Sequence, residues 1–141
     1  MLSRGMEDYL EVIYKLIQEK GYARSTDIAH QLDVRPPSVT EMVQRLHEDG
    51  LLVYERYRGI TLTEEGERVA KSVLRRHALL FEFLTLLGVD EEIADLDACG
   101  MEHCLHPETV KVISCFLTCL KGRTGEKLRK ELDKISEACN D

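Results

Sequence analysis

Hydrophobic residues in the first fifty positions follow three helical patterns separated by short breaks. From about Gly5 to Lys20 they recur at steps of three and four, the period of a helix with one buried face, at Met6, Tyr9, Leu10, Ile13, Leu16 and Ile17. Gly21 ends this helix. A second helix is predicted from Ser25, a good N-cap residue, and a third from the prolines of DVRPP to about Asp49. Two short helices joined by a tight turn predict a helix-turn-helix unit.

A β-hairpin is predicted directly after the third helix. LLVYE and ITLT are rich in β-forming residues, and they flank Arg56, Tyr57, Arg58 and Gly59, with the glycine at the turn. A hairpin in this position is a wing, and its two arginines and tyrosine suit contacts with the DNA backbone and minor groove. The third helix offers DNA an outer face made of Arg35, Pro37, Ser38, Thr40, Glu41, Gln44 and Arg45. A merely solvated helix surface is the alternative for these residues.

Only helical patterns follow the wing. Thr63 is predicted to cap a long helix through about Leu87, and Asp90 a fifth helix that includes the CGMEHC segment. Pro107 opens a sixth helix, residues 122–125 precede a seventh, and large apolar faces after residue 80 predict a dimer interface. The fold class is therefore mainly α. We expect a winged helix-turn-helix of three helices plus a two-stranded wing at 1–70, and an all-helical dimerisation and metal-binding domain at 71–141.

Charge and composition refine this picture. The chain has a net charge of −7, and residues 1–63 hold 8 Lys and Arg against 10 Asp and Glu. DNA phosphates are bound by positive charge, which this chain lacks overall. If the protein binds DNA, bound cations can compensate its negative charge. No apolar run approaches the roughly 20 residues of a membrane span. The N-terminus also carries carboxylates where a signal peptide is apolar, so we expect a cytoplasmic protein with no membrane association.

Metal-binding chemistry is concentrated in one segment. Cys99, Glu102 and His103 are spaced at i, i+3 and i+4, so on a helix a thiol, a carboxylate and an imidazole share one face. Asp8 and Glu11 form a carboxylate pair at i and i+3 in the first helix. Taken alone, such acidic residues are usually solvated, and a cysteine is usually a small buried hydrophobe.

The remaining histidine and cysteines are ambiguous on their own. His77 lies in the middle of the long helix, where a single histidine more often packs than binds a metal. Cys115 and Cys119 lie one turn apart on an apolar helix and are predicted to pack in the core or in an interface. With five cysteines, no CxxC pair and no export signal, we expect reduced thiols rather than disulfides.

An ordered set of segments resembles the diphtheria-toxin-repressor superfamily, closest to its manganese transport regulator (MntR) branch. The matching segments are GMEDYLEVIYKLIQEKGYARSTDIA, RPPSVTEMVQRL, GITLTEEG, RRHALLFEFL, LGVDEE and GMEH, and they extend to about residue 120. The resemblance implies a metal-activated repressor of metal-uptake genes that binds palindromic double-stranded operator DNA as a homodimer. It implies neither enzymatic activity nor a small-molecule substrate.

The resemblance also implies a site for two ions per subunit. Its ligands would be Asp8, Glu11, His77, Cys99, Glu102 and His103. Manganese-type members have glutamate where this chain has Cys99, whereas iron-type members have cysteine there but methionine at the position of Asp8. We therefore expect Mn(II) as the activating ion, Fe(II) as the second candidate, and Co(II), Zn(II) or Cd(II) as substitutes.

Two other classes of function remain open to the sequence. One is a winged-helix regulator that responds to a small organic ligand or to oxidation of Cys99 and Cys104. The other is a metal-dependent hydrolase. The sequence contains no HExxH, G-x-S-x-G or P-loop motif, and an enzyme would need an open metal position for its substrate.

Overall fold

Helices dominate the structure, a computed structural model that describes residues 2–139. Within that range the chain forms seven α-helices, a short 3-10 helix and one two-stranded sheet, in agreement with the predicted fold class. The order is α1 (Arg4–Lys20), α2 (Ser25–Leu32), α3 (Pro36–Glu48), β1 (Leu52–Glu55), β2 (Gly59–Leu62), α4 (Glu64–Leu86), α5 (Glu91–Met101), α6 (Pro107–Lys121), the 3-10 helix (Arg123–Gly125) and α7 (Glu126–Cys139). The chain divides into two compact units, residues 1–74 and 75–141.

The core of the first unit is formed by the helical stripes that the sequence predicts. Its large fully buried side chains come from α1, α2, α3, the wing and the first half of α4, and they are Leu10, Ile13, Ile28, Val39, Leu46, Leu52, Ile60 and Val73. Ser3 caps α1 by accepting a hydrogen bond from the backbone N–H of Met6. Gly21 ends the helix with φ 83°, a left-handed conformation that glycine adopts without steric cost.

The turn between α2 and α3 differs from the prediction in one respect. Ser25 is the first residue of α2 rather than its N-cap, and Arg24 takes the cap position without a side-chain hydrogen bond. Asp33 ends α2 at φ 52°, a left-handed conformation that short polar side chains tolerate. This residue turns the chain so that α3 begins three residues later, with Pro36 in its first turn.

The predicted wing is confirmed as an antiparallel hairpin. Leu52 pairs with Leu62 at its base, and Glu55 pairs with Gly59 at its tip. A further bridge joins Ile60 to Ala23, through hydrogen bonds of 3.0 and 3.3 Å between their backbone groups. The wing is therefore hydrogen-bonded to the α1–α2 connection as well as within itself.

The helices that follow the wing begin where the sequence predicts. Thr63 caps α4 by accepting from the N–H of Gly66, and Asp90 caps α5 by accepting from the N–H of Glu92. The long helix α4 ends at Leu86, about where predicted, whereas α5 stops at Met101, before the end of the CGMEHC segment. Buried residues of the second unit include Leu80, Ala94, Ala98, Leu117 and Leu120. No helix of the described residues is long and apolar enough to cross a membrane.

Candidate metal centre and DNA-binding surface

A fully buried carboxylate, that of Glu102, forms the centre of a polar cluster in the second unit. Its two oxygens contact two imidazoles: Oε2 lies 2.8 Å from Nδ1 of His77, and Oε1 lies 3.2 Å from Nε2 of His103. The Glu102 side chain is 0% exposed and that of His103 only 2%. Because a buried carboxylate is costly unless it is paired, this arrangement is specific rather than a chance surface contact.

The helical stripes explain why these groups meet. On α4, His77 lies one turn after Val73 and three residues before Leu80, and both of these neighbours are fully buried. On α5, Ala94 and Ala98 form a buried stripe that Glu102 continues at the next turn. Glu102 is therefore buried on the same side of α5 as the two alanines.

The helix carrying the Cys-x-x-Glu-His motif ends within the motif. The N–H of Glu102 still bonds to the carbonyl of Ala98, so Glu102 keeps its helical position. The N–H of Cys104 then bonds to the carbonyl of Met101, a tighter turn of the kind that ends helices. His103 therefore approaches Glu102 from the turn after α5, not from the same helical face as predicted.

Asp95 joins this cluster although the sequence analysis did not select it. Its Oδ1 lies 2.8 Å from Nε2 of His77, and its side chain is 66% exposed. Asp95 stands one turn before Cys99 and two turns before Glu102 on α5. That i, i+4, i+7 spacing was visible in the sequence and is the signal that could have found it.

The predicted carboxylate ligands of the first unit lie on one face of α1. Asp8 is half-buried, and Glu11 is only 7% exposed, so Glu11 is not the solvated helix residue of the alternative interpretation. Its Oε1 lies 2.9 Å from Nζ of Lys15, one turn further along the helix. Burial raises the pKa of the neighbouring Tyr9, which further favours the neutral form of this phenol.

The donors of the second unit fit a divalent cation. Carboxylate oxygen and imidazole nitrogen are the ligand types that Mn(II) and Fe(II) accept, and His77, Glu102 and His103 meet in one cluster. Asp8, Glu11 and Cys99 stay predicted ligands. The Cys99 side chain is exposed, which contradicts the alternative of a small buried hydrophobe.

The exposure of two other cysteines contradicts part of the prediction. Cys115 and Cys119 are exposed on α6, while Leu117 and Leu120 are the buried residues of that helix. The prediction that the two cysteines pack in the core is therefore wrong. Their packing in an interface between subunits stays a prediction. No two of the five cysteines, all of which lie within the described residues, are joined by a disulfide.

The outer face of α3 has the exposure that a DNA-reading helix needs. Val39, Val43 and Leu46 are buried, whereas all seven predicted DNA-binding residues of this segment are exposed, namely Arg35, Pro37, Ser38, Thr40, Glu41, Gln44 and Arg45. Grooves of about 250 and 220 Å³ flank the helix, the first lined by Gln44 and Tyr54 among others and the second by Tyr9 and Arg45 among others. The exposed face of α3 thus stands out as a ridge.

The wing tip is equally accessible. Tyr57 is 93% exposed, and the guanidinium of Arg56 lies over its ring at 5.8 Å from the ring centre. Arg58 pairs with Glu55 at 3.5 Å, within the hairpin. The three wing residues are therefore all exposed, with two cations and an aromatic ring among them, and their contact with DNA stays a prediction.

Comparisons with known proteins also separate a DNA-binding part of the chain from a metal-binding part. The model of the iron dependent repressor N-terminal DNA binding domain matches residues 1–60, and that of the iron dependent repressor metal binding and dimerisation domain matches residues 63–123. The HTH-type transcriptional regulator MntR of Bacillus velezensis is 44% identical over 137 residues, which are 97% of this chain and 95% of that protein. MntR of Bacillus subtilis is 53% identical over 103 residues, 73% of this chain and 72% of that protein.

Solved structures show the same fold. The manganese regulator SloR matches with a TM-score of 0.72 and 31% identity, over 80% of this chain and 53% of that one. A manganese-dependent transcriptional repressor in complex with manganese matches with a TM-score of 0.70 and 30% identity, over 79% and 51%. These relatives do not favour a regulator of organic-ligand or thiol-oxidation type. The chain therefore belongs to the iron-dependent (diphtheria-toxin) repressor family, in its MntR branch, and is a metal-dependent transcriptional repressor.

Proposed function

We propose that this repressor is activated by Mn(II), with Fe(II) as the second candidate, and that it represses genes for metal uptake. The observation that carries the proposal is the buried Glu102 carboxylate held between the imidazoles of His77 and His103. Relatives named for manganese support the choice of ion. Structures of a related protein with Zn²⁺ and with Cd²⁺ support substitution by softer ions, which an exposed thiol at position 99 would favour.

In this proposal six residues hold two ions per subunit, namely Asp8, Glu11, His77, Cys99, Glu102 and His103. Bound divalent ions would neutralise the carboxylates. Glu102 is already desolvated and oriented by its two histidines, so it loses little conformational freedom on binding. The remaining carboxylates and the thiol repel one another when ionised, and this repulsion disfavours their assembly without a cation.

The DNA-binding part of the proposal rests on the ridge of α3 and on the wing. Gln44 and Arg45 carry the donors and acceptors that recognise base edges, and Arg56 and Arg58 suit phosphates. One recognition helix covers only one half-site, so we propose that a homodimer binds a palindromic operator in the cytoplasm. No enzymatic role is proposed for a chain whose relatives are transcriptional regulators.

The dimer surface is proposed on the exposed apolar side of the second unit. Ile93 and Leu96 of α5 are 54% and 73% exposed, and Val112 of α6 is 68% exposed. On α5 these residues lie opposite the stripe of Ala94, Ala98 and Glu102, so one helix can serve both the interface and the metal centre. Sedimentation velocity should show a dimer that Leu96→Asp converts to monomer. Ile135→Asp on α7, also exposed, is the matched control and should leave the dimer intact.

Metal-dependent DNA binding tests the proposal as a whole. A random pool of duplex DNA is selected with the protein and Mn(II), and the enriched duplex is then titrated with Mn(II), with Fe(II) and with chelator. We expect binding to weaken about 5- to 150-fold without metal, the usual range of coupling between two binding sites. Equal affinity with excess chelator would refute metal activation.

A matched pair of variants tests the site. Glu102→Gln keeps the size of the buried side chain but removes its charge, so the Mn(II) response should be lost. Glu131→Gln removes the same charge from an exposed pair with Lys134 on α7 and should respond like the original protein. An unchanged Mn(II) response in Glu102→Gln would show that the ions bind elsewhere.

A further inference from the structure

The imidazole of His77 lies between two carboxylates of very different exposure. Its Nδ1 lies 2.8 Å from Oε2 of Glu102, whose side chain is 0% exposed. Its Nε2 lies 2.8 Å from Oδ1 of Asp95, whose side chain is 66% exposed. Both ring nitrogens are thus at hydrogen-bond distance from a carboxylate, one on the inside of the cluster and one on its outside.

A histidine that binds a metal ion uses one nitrogen as an electron-pair donor, and the other nitrogen carries the hydrogen. The group that accepts a hydrogen bond from that N–H determines which ring nitrogen is protonated and which binds the metal. It also fixes the orientation of the ring. In this structure Glu102 lies with His103 on the buried side, so the Nδ1 side of His77 faces the proposed ligands. Asp95 lies on the opposite side of the ring.

We propose that Asp95 is a positioning residue for the metal centre, an inference that rests on the function proposed above. When an ion is bound, the Asp95 carboxylate would accept a hydrogen bond from Nε2–H of His77, and the lone pair of Nδ1 would then be free to bind the ion on the side of Glu102. Asp95 does not itself bind the ion. It acts through His77, by fixing the tautomer and the orientation of the ring.

The geometry of α5 supports this role. Asp95 and Glu102 are seven residues apart and therefore lie two turns apart on one face, where they reach the two nitrogens of a single ring. Asp97 lies on the far side of the same helix and is exposed. The chain therefore offers two aspartates on one helix, of which only Asp95 contacts the cluster, and Asp97 is a matched control.

A spectroscopic experiment tests the tautomer directly. Zn(II) is diamagnetic, so the ¹H–¹⁵N correlations of the histidine rings can be recorded in the Zn(II)-loaded protein. We expect His77 to show a protonated Nε2 whose hydrogen exchanges slowly with water, because Asp95 accepts it. In Asp95→Ala this hydrogen should exchange faster, whereas Asp97→Ala should preserve the signal. A His77 ring that is protonated at Nδ1 would overturn the inference.

Metal affinity supplies a second, independent measurement. Outer partners of metal-binding histidines typically contribute about 10- to 100-fold to affinity, so Asp95→Ala should weaken Mn(II) binding by that factor. Asp95→Asn retains an oxygen that can accept the hydrogen bond and should lose less. Asp97→Ala should bind Mn(II) as the original protein does, and thermal unfolding of the metal-free variants checks that all of them fold.

The outcomes separate this inference from the proposal on which it rests. An original protein that binds no Mn(II) would refute the metal centre and the role of Asp95 together. An original protein that binds Mn(II), with Asp95→Ala equally tight, would overturn only the role of Asp95. A variant that binds one ion fewer, with the other ion bound as tightly as before, would make Asp95 a ligand and would also overturn the positioning role.

Discussion

The carboxylate of Glu11 lies 2.9 Å from the ammonium group of Lys15, one turn further along α1. Glu11 is a proposed metal ligand and its side chain is 10% exposed, whereas that of Lys15 is 54% exposed. The Lys15 ammonium group is therefore a cation of the chain itself, next to one of the carboxylates that a metal ion would neutralise. A lysine four residues after a glutamate is a common stabilising pair on helices, so the contact is strongly favoured by local geometry.

Competition between Lys15 and metal leads to the first prediction. Lys15→Gln should tighten Mn(II) binding by about two- to fivefold, because a half-exposed ion pair contributes roughly 0.5–1 kcal/mol. Calorimetric titration of the metal-free protein measures the effect. Lys20→Gln removes the same charge from the end of α1, where the lysine pairs with Asp27, and should not change the affinity. Unaltered or weaker binding in Lys15→Gln would contradict competition at Glu11.

Replacement of Cys99 tests the departure from manganese-type relatives. A carboxylate can bridge two ions through two oxygens, and it lacks the preference of a thiolate for Co(II), Zn(II) and Fe(II). Cys99→Glu should therefore shift the preference towards Mn(II) and raise occupancy of the second ion.

The measurement for this prediction is the ratio of activation midpoints for Mn(II) and Co(II), together with metal stoichiometry. Cys139→Glu, the same change at the end of α7, is the control. If Cys99→Glu and the original protein give the same ratio and the same stoichiometry, Cys99 is not a ligand.

Recognition by α3 is tested through Arg45. A bidentate contact of arginine with a base contributes about 1–3 kcal/mol and carries sequence preference. Arg45→Ala should therefore weaken binding to the selected duplex by that amount and relax its specificity. Lys127→Ala removes one positive charge from α7 and should have little effect. A loss that is the same for every DNA sequence, with a reduced salt dependence, would instead assign Arg45 to a phosphate contact.

Close packing at the start of α4 gives a prediction on stability. A Cβ atom added to Gly66 would lie 1.8 Å from the carbonyl oxygen of Leu51, so the backbone would have to move. Gly66→Ala should lower the free energy of unfolding by about 1–3 kcal/mol, as overpacking does. A Cβ on Gly100, in α5, meets nothing within 4 Å, and Gly100→Ala should leave stability unchanged or slightly higher. Urea unfolding compares the two, and equal midpoints would contradict this account.

Local pattern was sufficient for most of the fold. The stripes of α1 and α3, the caps at Thr63 and Asp90, and the hairpin around Gly59 depend on residues within a few positions of one another. Short-range geometry decides such features, so they can be predicted without knowing what lies across the core. The family resemblance rests on the same ordered segments, and it supplied the ligand set that spacing alone left ambiguous.

Other features depend on which groups the fold brings together, and periodicity cannot provide that information. The sequence of α6 has apolar residues on most faces of the helix. Its pattern therefore could not show that Leu117 and Leu120 are buried while Cys115 and Cys119 are exposed. His77 and Asp95 are 18 residues apart and lie on different helices, so no repeat links them before α4 and α5 pack. The sequence by itself determined the helices, the wing and the types of donor available. Only the tertiary structure decided that Glu102 is the buried carboxylate and Asp95 the exposed one, because burial depends on the neighbours that cover each side chain.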